Sequence, residues 1–236
     1  MPVKDINKTL FIMNARTESE RVPEKMVREF SDSCLFEIAV KKVLACESVP
    51  KDNFYVSVRD LRLVDIAQRN GVNIWHRSKE SCKEPITLQG IFEWHTELSK
   101  RFDYYVNVNA CNPIVRTSTI ESFIEQFMNT EANGLLAVTS HKNLFWGEDN
   151  RLINKFNGDR KYLATMETKL AETVYQPANC LYAGRMSDIA NDVYMGSFTK
   201  KGDPEFFLFP NEENFDIDEM WQFNLAQFMY NMIMGK

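Results

Sequence analysis

Glycine is scarce in this chain of 236 residues, and none of its nine glycines precedes Gly71. Loops that hold phosphate with backbone N–H groups usually depend on glycine, because only glycine lets the backbone approach the anion closely. A glycine-rich phosphate loop is therefore excluded from the first 70 residues. A phosphate site in that region would have to use side-chain cations.

Long apolar runs, paired cysteines and clustered histidines are absent as well. No run of 18 apolar residues occurs, so we expect a soluble protein without a membrane partner. The five cysteines form no CxxC pair and the N-terminal residues lack a secretory signal, so we expect a cytoplasmic location. His76, His95 and His141 do not have the spacing of metal ligands.

The charge and the length restrict the partners and the number of domains. A net charge of -5 and a pI near 5.4 argue against a broad nucleic-acid surface, although a local basic pocket for a small nucleotide remains compatible with them. With 44% hydrophobic residues, a chain of this length can bury one sizeable core. We therefore predict a single domain over residues 1–236.

Apolar runs of strand length alternate with helical patterns along most of the chain. Helices are predicted at residues 35–46, 61–69, 88–100, 118–128 and 219–234. Strands are predicted at residues 9–13, 54–58, 72–75, 104–108, 135–140, 181–183 and 205–209. This order predicts an α/β fold with a Rossmann-like, mostly parallel sheet flanked by helices.

The regular alternation weakens between about residues 141 and 180. Two short segments, 151–156 and 161–166, flank Asn157-Gly158, which is a strong signal for a hairpin turn. We predict a small hairpin excursion here, which is a candidate for dimer contact or for covering an active site. A plain surface hairpin is the alternative.

A cluster of cations follows the first predicted strand. Arg16, Ser19, Arg21 and Lys25 surround Pro23 in the segment FIMNARTESERVPEKM. A strand that ends in so many hydrogen-bond donors suits the binding of a polyphosphate. The alternative is a solvated loop in which nearby glutamates neutralise the cations: Glu18, Glu20 and Glu24.

A second polar segment, NVNACNPIVRT at residues 107–117, follows the strand predicted at 104–108. Ligands of open parallel sheets bind beyond the carboxyl ends of the strands, so this segment and the cation cluster should open onto the same rim. Its polar side chains include Asn109, Asn112 and Arg116. The alternative is an Asn-Pro turn that leads into a helix capped by Thr117 or Ser118.

Two carboxylates lie two residues apart before the last predicted helix. In an extended chain, alternation places Asp216 and Asp218 on the same side. Two oxygen ligands that point the same way suit Mg²⁺, which completes its octahedron with phosphate and water. The alternative is that Asp218 caps a helix starting at Glu219 and that Asp216 is solvated.

The motif Arg-x-x-Ser-x-Arg-x-Pro-x-Lys at residues 16–25 resembles a signature of cytidylyltransferases that activate acidic sugars, the sialic-acid and ketodeoxyoctonate CMP-sugar synthetases. Residues 109–116 take the place of the Gln-Pro-Thr-Ser-Pro-Leu-Arg run of the sialic-acid enzymes. The element Asp216-Ile-Asp218 resembles a Ser-Ile-Asp-Ile-Asp element of the same enzymes. Weaker correspondences follow the same order and extend the resemblance over residues 9–231: segments 55–60, 74–77, 135–140 and 179–185.

The resemblance implies a nucleotide-diphospho-sugar transferase type of fold and a nucleotidyltransferase. The reaction would transfer CMP from CTP to an acidic acceptor such as a 2-keto sugar acid, with release of pyrophosphate, in a homodimer. The residues implied for the nucleotide are Arg16, Ser19, Arg21, Lys25 and Arg77, with Arg16 and Lys25 also catalytic. Asp216 and Asp218 would hold Mg²⁺. The residues implied for the acceptor are Asn109, Asn112, Arg116, Asn179, Tyr182 and, from the excursion or a neighbouring subunit, Lys169.

The chain departs from the family pattern at the nucleotide and at the acceptor. Glu20 stands where the sialic-acid enzymes have a lysine, and Met26 stands where they have an asparagine. Asn109 replaces a glutamine and Cys111 a threonine. These changes leave two alternatives open: a CTP-dependent enzyme for a non-sugar acid such as a phosphonate, or a non-catalytic nucleotide-binding homologue. Retention of both aspartates argues against the second.

Overall fold

A seven-stranded sheet forms the centre of the computed structural model, which describes residues 3–82 and 87–235. The strands, in chain order, are β1 (Thr9–Asn14), β2 (Glu29–Phe30), β3 (Ser33–Cys34), β4 (Phe54–Val58), β5 (Asn73–His76), β6 (Tyr104–Val108), β7 (Leu135–His141), β8 (Val174–Arg185) and β9 (Glu205–Leu208). Across the sheet their order is β5-β4-β1-β6-β8-β7-β9, while β2 and β3 pair separately.

Helices cover both faces of this sheet. They are α1 (Leu35–Leu44), α2 (Leu61–Arg69), α3 (Leu88–Ile91), α4 (His95–Leu98), α5 (Thr117–Asn129), α6 (Arg160–Ala164), α7 (Met186–Ile189) and α8 (Met220–Met234). Within the described ranges, no helix combines the length and the apolar character needed to cross a membrane.

The sheet is parallel over most of its width. Strands β5, β4, β1 and β6 are parallel neighbours, and β9 is parallel to β7, whereas β8 runs antiparallel to β6 and β7. Strand β1 is buried on both sides: Phe11 and Met13 belong to one core, and Leu10 and Ile12 to the other. The predicted α/β class with a mostly parallel sheet is confirmed, because the near-continuous apolar runs reflect burial on both faces.

The segment predicted as one helix at residues 88–100 is broken into α3 and α4. The break turns two aromatic side chains into the core together, because Phe92 is 2% exposed and Trp94 is 0% exposed. Their ring centroids lie 4.9 Å apart with the rings nearly perpendicular. A straight helix would place these two residues on different faces, so tertiary packing overrides the helical pattern here.

The predicted hairpin at Asn157-Gly158 is wrong. Residues 160–164 form α6 rather than a strand, and the preceding segment makes only single bridges, including Phe156 to Ala171. A Cβ atom on Gly158 would lie 2.6 Å from Leu170 Cδ1 and 2.9 Å from Phe156 Cε1. The glycine lies beside these two side chains, and no hairpin forms at the turn signal that it provides.

Helix α8 closes the fold and contains no charged side chain. Its inner side packs Phe223 edge-on against Phe30, with ring centroids 5.2 Å apart. Its outer side exposes large apolar side chains at a spacing of three and four residues: Trp221, Leu225, Phe228 and Met232. These four residues are called the outer face of α8 below.

Candidate active site

A cleft of about 1160 Å³ opens where strands β1 and β6 end. This volume exceeds that of a typical pocket for one small ligand, which is roughly 300–1,000 Å³. Eight of the residues predicted from sequence line it: Arg16, Ser19, Arg21, Lys25, Arg77, Asn109, Tyr182 and Asp218. The topology thus brings residues 15–25, called the cation loop below, and the start of the polar segment 107–117 to one rim, as expected for parallel strands.

The cations of the cleft are held by neighbouring backbone and side chains. Arg16 donates a hydrogen bond of 2.8 Å to the carbonyl of Cys82. Arg77 donates to the hydroxyl of Ser81 at 3.1 Å and also to the Ser81 carbonyl. Burial lowers the pKa of Arg77 from its ordinary value. Both arginines therefore join the cleft to the turn at residues 80–82.

Two of the four departures from the family pattern, Glu20 and Met26, lie in or directly after the cation loop of residues 15–25. Both line the cleft: Glu20 is exposed, whereas Met26 is 6% exposed and also belongs to the core. An exposed carboxylate keeps its hydration, so Glu20 does not impose the cost of a buried negative charge on the loop.

The acidic segment at residues 216–218 contacts the cation loop directly. Arg21 Nη2 lies 2.7 Å from Asp218 Oδ1, and Lys25 donates from Nζ to the carbonyl of Ile217. The side chains of Asp216 and Asp218 interact: burial, and next the charge of Asp218, raise the pKa of Asp216 to about 6. Two carboxylates that repel each other beside cations form an arrangement that a divalent cation would relieve.

Asp218 is not the cap of the last helix. Helix α8 begins at Met220 and its N-cap is Glu219, whose backbone N–H donates to Gln222 Oε1 at 2.7 Å. The carboxylate of Asp218 faces Arg21 and lines the cleft instead. The capping alternative raised by the sequence therefore does not apply.

The acceptor residues predicted at Asn109, Asn179 and Tyr182 lie together. Asn109 Nδ2 donates to the Asn179 carbonyl at 2.9 Å, and its Oδ1 accepts from the backbone N–H of Cys111 at 3.0 Å. Tyr182 donates from its hydroxyl to Asn179 Oδ1 at 3.3 Å. Asn179 has a φ of 55°, a conformation that asparagine tolerates better than most residues.

Four of the six predicted acceptor residues are not among the described residues that line the cleft: Asn179, Asn112, Arg116 and Lys169. Asn179 is joined to it only through its bonds with Asn109 and Tyr182. Asn112 is 2% exposed, and its side-chain amide bonds the Glu213 carbonyl at 2.7 Å and the Ile114 N–H at 3.0 Å. Arg116 pairs with Glu213 at 3.4 Å. Lys169 is exposed in the excursion. Asn112 therefore shapes its loop, and Lys169 does not reach this cleft within its own chain.

The cleft also contains polar residues that sequence reasoning missed. Asn14 ends β1, and among the described residues its buried Nδ2 has no hydrogen-bond partner. Asn107 Nδ2 donates to the hydroxyl of Tyr194 at 3.1 Å, and the Tyr194 ring lies 5.3 Å from that of Tyr182. Their position at strand ends could have identified Asn14 and Asn107. Nothing in the irregular sequence around Tyr194 marks it.

Solved structures of other proteins share this fold. The structure of CMP:2-keto-3-deoxy-manno-octonic acid synthetase complexed with CTP has a TM-score of 0.66 and 12% identity, covering 97% of this chain and 100% of its own. The 4-diphosphocytidyl-2C-methyl-D-erythritol synthase of Anaerococcus prevotii has a TM-score of 0.66 and 13% identity, covering 98% and 97%. The fold is therefore that of the nucleotide-diphospho-sugar transferases.

Residues 10–187 match the model of the cytidylyltransferase family, and the chain belongs to that family. Two pseudaminic acid cytidylyltransferases from strains of Campylobacter jejuni are each 21% identical to it over 234 residues, or 95% of this chain and 97% of each relative. The resemblance stated from the sequence motifs is confirmed, and the protein is a nucleotidyltransferase.

Replacing Asp216 with asparagine should stabilise the metal-free protein at neutral and alkaline pH. The pKa of Asp216 is raised from 3.8 to about 6, so its contribution to stability is fully present below about pH 3.8 and is lost as the pH rises through about 6. A neutral amide removes the cost of the buried charge. In urea denaturation with EDTA, we expect Asp216→Asn to gain about 1–2 kcal/mol at pH 8 and little at pH 4.

The control for this measurement is Asp65→Asn, which changes an exposed carboxylate on α2 whose side chain is 66% exposed. It should leave the pH dependence of unfolding close to that of the wild type. A loss of stability in Asp216→Asn at pH 8 would contradict the analysis of the buried charge.

Proposed function

We propose that this cytidylyltransferase transfers CMP from CTP to a 2-keto sugar acid. The observation that carries the proposal is the meeting of the cation loop (residues 15–25) and Asp218 in one cleft, through the contact of 2.7 Å between Arg21 and Asp218. Asp216 is not among the described lining residues, but the charges of Asp218, Lys25 and Arg21 all act on it. The sequence relatives named for pseudaminic acid, a sugar acid, support the class of acceptor. The loop cations would bind the phosphates of CTP, and the amides and tyrosines would bind the acceptor, so that each substrate has its own group of residues in the cleft.

In the proposed reaction, a hydroxyl of the acceptor attacks the α-phosphorus of CTP in line with the leaving pyrophosphate. The bond between the α-phosphorus and the bridging oxygen of the β-phosphate breaks as the new P–O bond forms. Catalysis of this kind depends on positioning and on charge neutralisation. Arg16, Arg21 and Lys25 would bind the phosphates and stabilise the negative charge of pyrophosphate, with Ser19 and Arg77 completing the nucleotide contacts.

The acidic pair fits Mg²⁺. Magnesium usually takes only one or two protein carboxylates and fills its other positions with phosphate oxygens and water. Across residues 3–82 and 87–235, no group of three or more His, Cys, Asp or Glu side chains forms a complete metal site. Asp216 and Asp218 would hold the ion, which when bound would neutralise phosphate charge and polarise the phosphoryl group.

The acceptor would contact Asn109, Asn179 and Tyr182, which are already joined by hydrogen bonds. Arg116 and Lys169 are not among the described residues that line the cleft, so neither would contact the acceptor directly within one chain. The loss of the family's threonine at Cys111, which lines the cleft, favours one second candidate acceptor class, a phosphonate.

We further propose that the protein is a cytoplasmic homodimer. All five cysteines have free thiols, which supports a reducing compartment. Large apolar side chains are exposed on the outer face of α8, where Phe228 is 62% exposed, and in the excursion, where Ile153 is 68% exposed. Exposed apolar patches of this kind are typical of protein interfaces.

CTP with Mg²⁺ should raise the melting temperature of the protein, because a ligand that binds only the folded state stabilises it. At about 100 times the dissociation constant, the expected rise is about 5 °C or more. CTP should give the largest shift of the four nucleoside triphosphates, and Lys25→Ala and Arg16→Ala should reduce it. The absence of a shift with millimolar concentrations of any of the four would reject nucleotide binding.

Asp218→Asn should separate activity from folding. Pyrophosphate release from CTP, measured with 2-keto sugar acids and phosphonates as acceptors, should fall by at least about 100-fold, since a charge at the reacting phosphate is lost. The melting temperature should change little, because the Arg21–Asp218 pair is exposed and such pairs contribute about 1 kcal/mol or less. The matched control is Glu219→Gln, the adjacent carboxylate, which should keep most of the activity. Unchanged release by Asp218→Asn would reject the metal assignment.

Light scattering should show a dimer for the wild type. Phe228→Glu on the outer face of α8 and Ile153→Glu in the excursion should each shift the protein toward monomer, because a charge would have to be buried in the interface. The control is Leu61→Glu on α2, where an isolated leucine is 82% exposed. A wild type that is monomeric at micromolar concentration would contradict the homodimer.

A further inference from the structure

The loop of residues 15–25 must hold its cations in place without glycine. Its basic side chains are long and flexible, and Arg21 remains 60% exposed. Cations of this kind bind a polyphosphate well only if the backbone that carries them is already fixed, because ordering the loop on binding would cost affinity. The contacts that fix the backbone therefore contribute to the affinity for the polyphosphate, although they do not touch it.

The beginning of the loop is tied to the start of α2. Thr17 is 8% exposed and donates from Oγ1 to Asp60 Oδ2 at 3.0 Å. The other oxygen of Asp60 accepts from the backbone N–H of Arg62 at 2.8 Å and so caps α2. Hydrogen bonds from Arg62 hold the pKa of Asp60 below its ordinary value, so Thr17 donates to a charged carboxylate.

The end of the loop is tied to the same point. Arg62 contacts Asp60 Oδ1 through Nε at 3.2 Å and Glu24 Oε1 through Nη1 at 2.7 Å. Glu24 has a φ of 58°, a left-handed conformation that is unfavourable for a side chain of this type. Its carbonyl accepts from the N–H groups of Val27 and Arg28 at 2.9 Å, so the turn that ends the loop is centred on it.

We infer that Thr17, Asp60, Arg62 and Glu24 form a side-chain clamp that holds the loop in the shape that binds the triphosphate of CTP. The clamp fixes the loop at Thr17 and at Glu24, and Arg21 lies between these two points. Its members are positioning residues, because they act through the loop cations rather than on the nucleotide. The inference rests on the proposed function, since it assumes that the loop binds CTP.

A purely structural role of the clamp predicts a different result. Arg62 and Glu24 are 51% and 59% exposed in their side chains, and ion pairs that exposed contribute little to the free energy of unfolding. If the clamp served only folding, its removal would lower the melting temperature slightly and leave the affinity for CTP unchanged. A positioning role instead changes the affinity for CTP more than the stability.

The test measures the dissociation constant of CTP by calorimetry, the KM values for CTP and for the sugar-acid acceptor, and the melting temperature of each variant. Thr17→Val keeps the shape of the side chain and removes the donor, and Thr17→Ser restores the donor. Arg62→Gln breaks the contact with Glu24. The matched control is Arg69→Gln, since Arg69 forms a similar exposed pair with Asp65 at 3.0 Å on the same helix.

We expect Thr17→Val to weaken CTP binding by about tenfold and Arg62→Gln by about threefold, and both to raise the KM for CTP while leaving the KM for the acceptor near its wild-type value. Thr17→Ser should recover most of the affinity, and Arg69→Gln should bind CTP like the wild type. If Thr17→Val unfolds, the exposed Arg62→Gln decides the question, because its loss cannot open the core.

Two results would overturn the clamp while leaving the proposed function intact. One is that the wild type binds CTP and that the Thr17→Val and Arg62→Gln variants bind CTP with the same affinity as the wild type. The other is a loss in Arg69→Gln as large as that in Arg62→Gln. A wild type that does not bind CTP at all would instead reject the proposed function, and the clamp with it.

Discussion

The architecture of the cleft depends on the residue between the two aspartates. Ile217 is fully buried, its backbone N–H donates to the Cys111 carbonyl at 3.1 Å, and its carbonyl accepts from Lys25. A single residue near the end of the chain thus joins the loop after β1 to the loop after β6. Ile217 is buried in the core, while its neighbour Asp218 lines the cleft and the charges of Asp218, Lys25 and Arg21 act on Asp216.

This arrangement has an energetic cost that is linked to function. Burial and the nearby Asp218 raise the pKa of Asp216 to about 6, so at neutral pH the folded protein carries a carboxylate in an unfavourable environment. Packing of Ile217 and the cations Arg21 and Lys25 offset part of that cost. A site that is strained without its ligands is commonly found where a fold has been selected for activity as well as stability.

The sequence predicts those parts of the molecule that local chemistry determines. Strands such as Phe54–Val58 are short, mostly apolar runs, and the cations after β1 are visible because a whole cluster of donors follows one strand. Asp216 and Asp218 stand out through their spacing. Each of these features needs only neighbours in the chain to be recognised.

Features that depend on contacts between distant segments could not be predicted in this way. Gly158 looks like a hairpin residue, but the segment after it forms α6, and Phe156 pairs with Ala171 instead. Asn112 looks like a ligand residue, yet its amide is used up by Ile114 and by Glu213, which lies 101 residues away. Tyr194 could not be predicted for the same reason, because its place in the cleft depends on the hydrogen bond with the distant Asn107.

The distribution of charge in the cleft connects the proposed acceptor to the proposed homodimer. Among the described residues that line the cleft, the cations are Arg16, Arg21, Lys25 and Arg77, all of them assigned to the nucleotide. The amides and tyrosines that line the cleft can bind hydroxyl and amide groups but do not neutralise a carboxylate. A sugar acid bound beside them would gain from one further cation. Lys169 is exposed and is not among the described residues that line the cleft of its own chain, so in the proposed homodimer a second subunit would be its source.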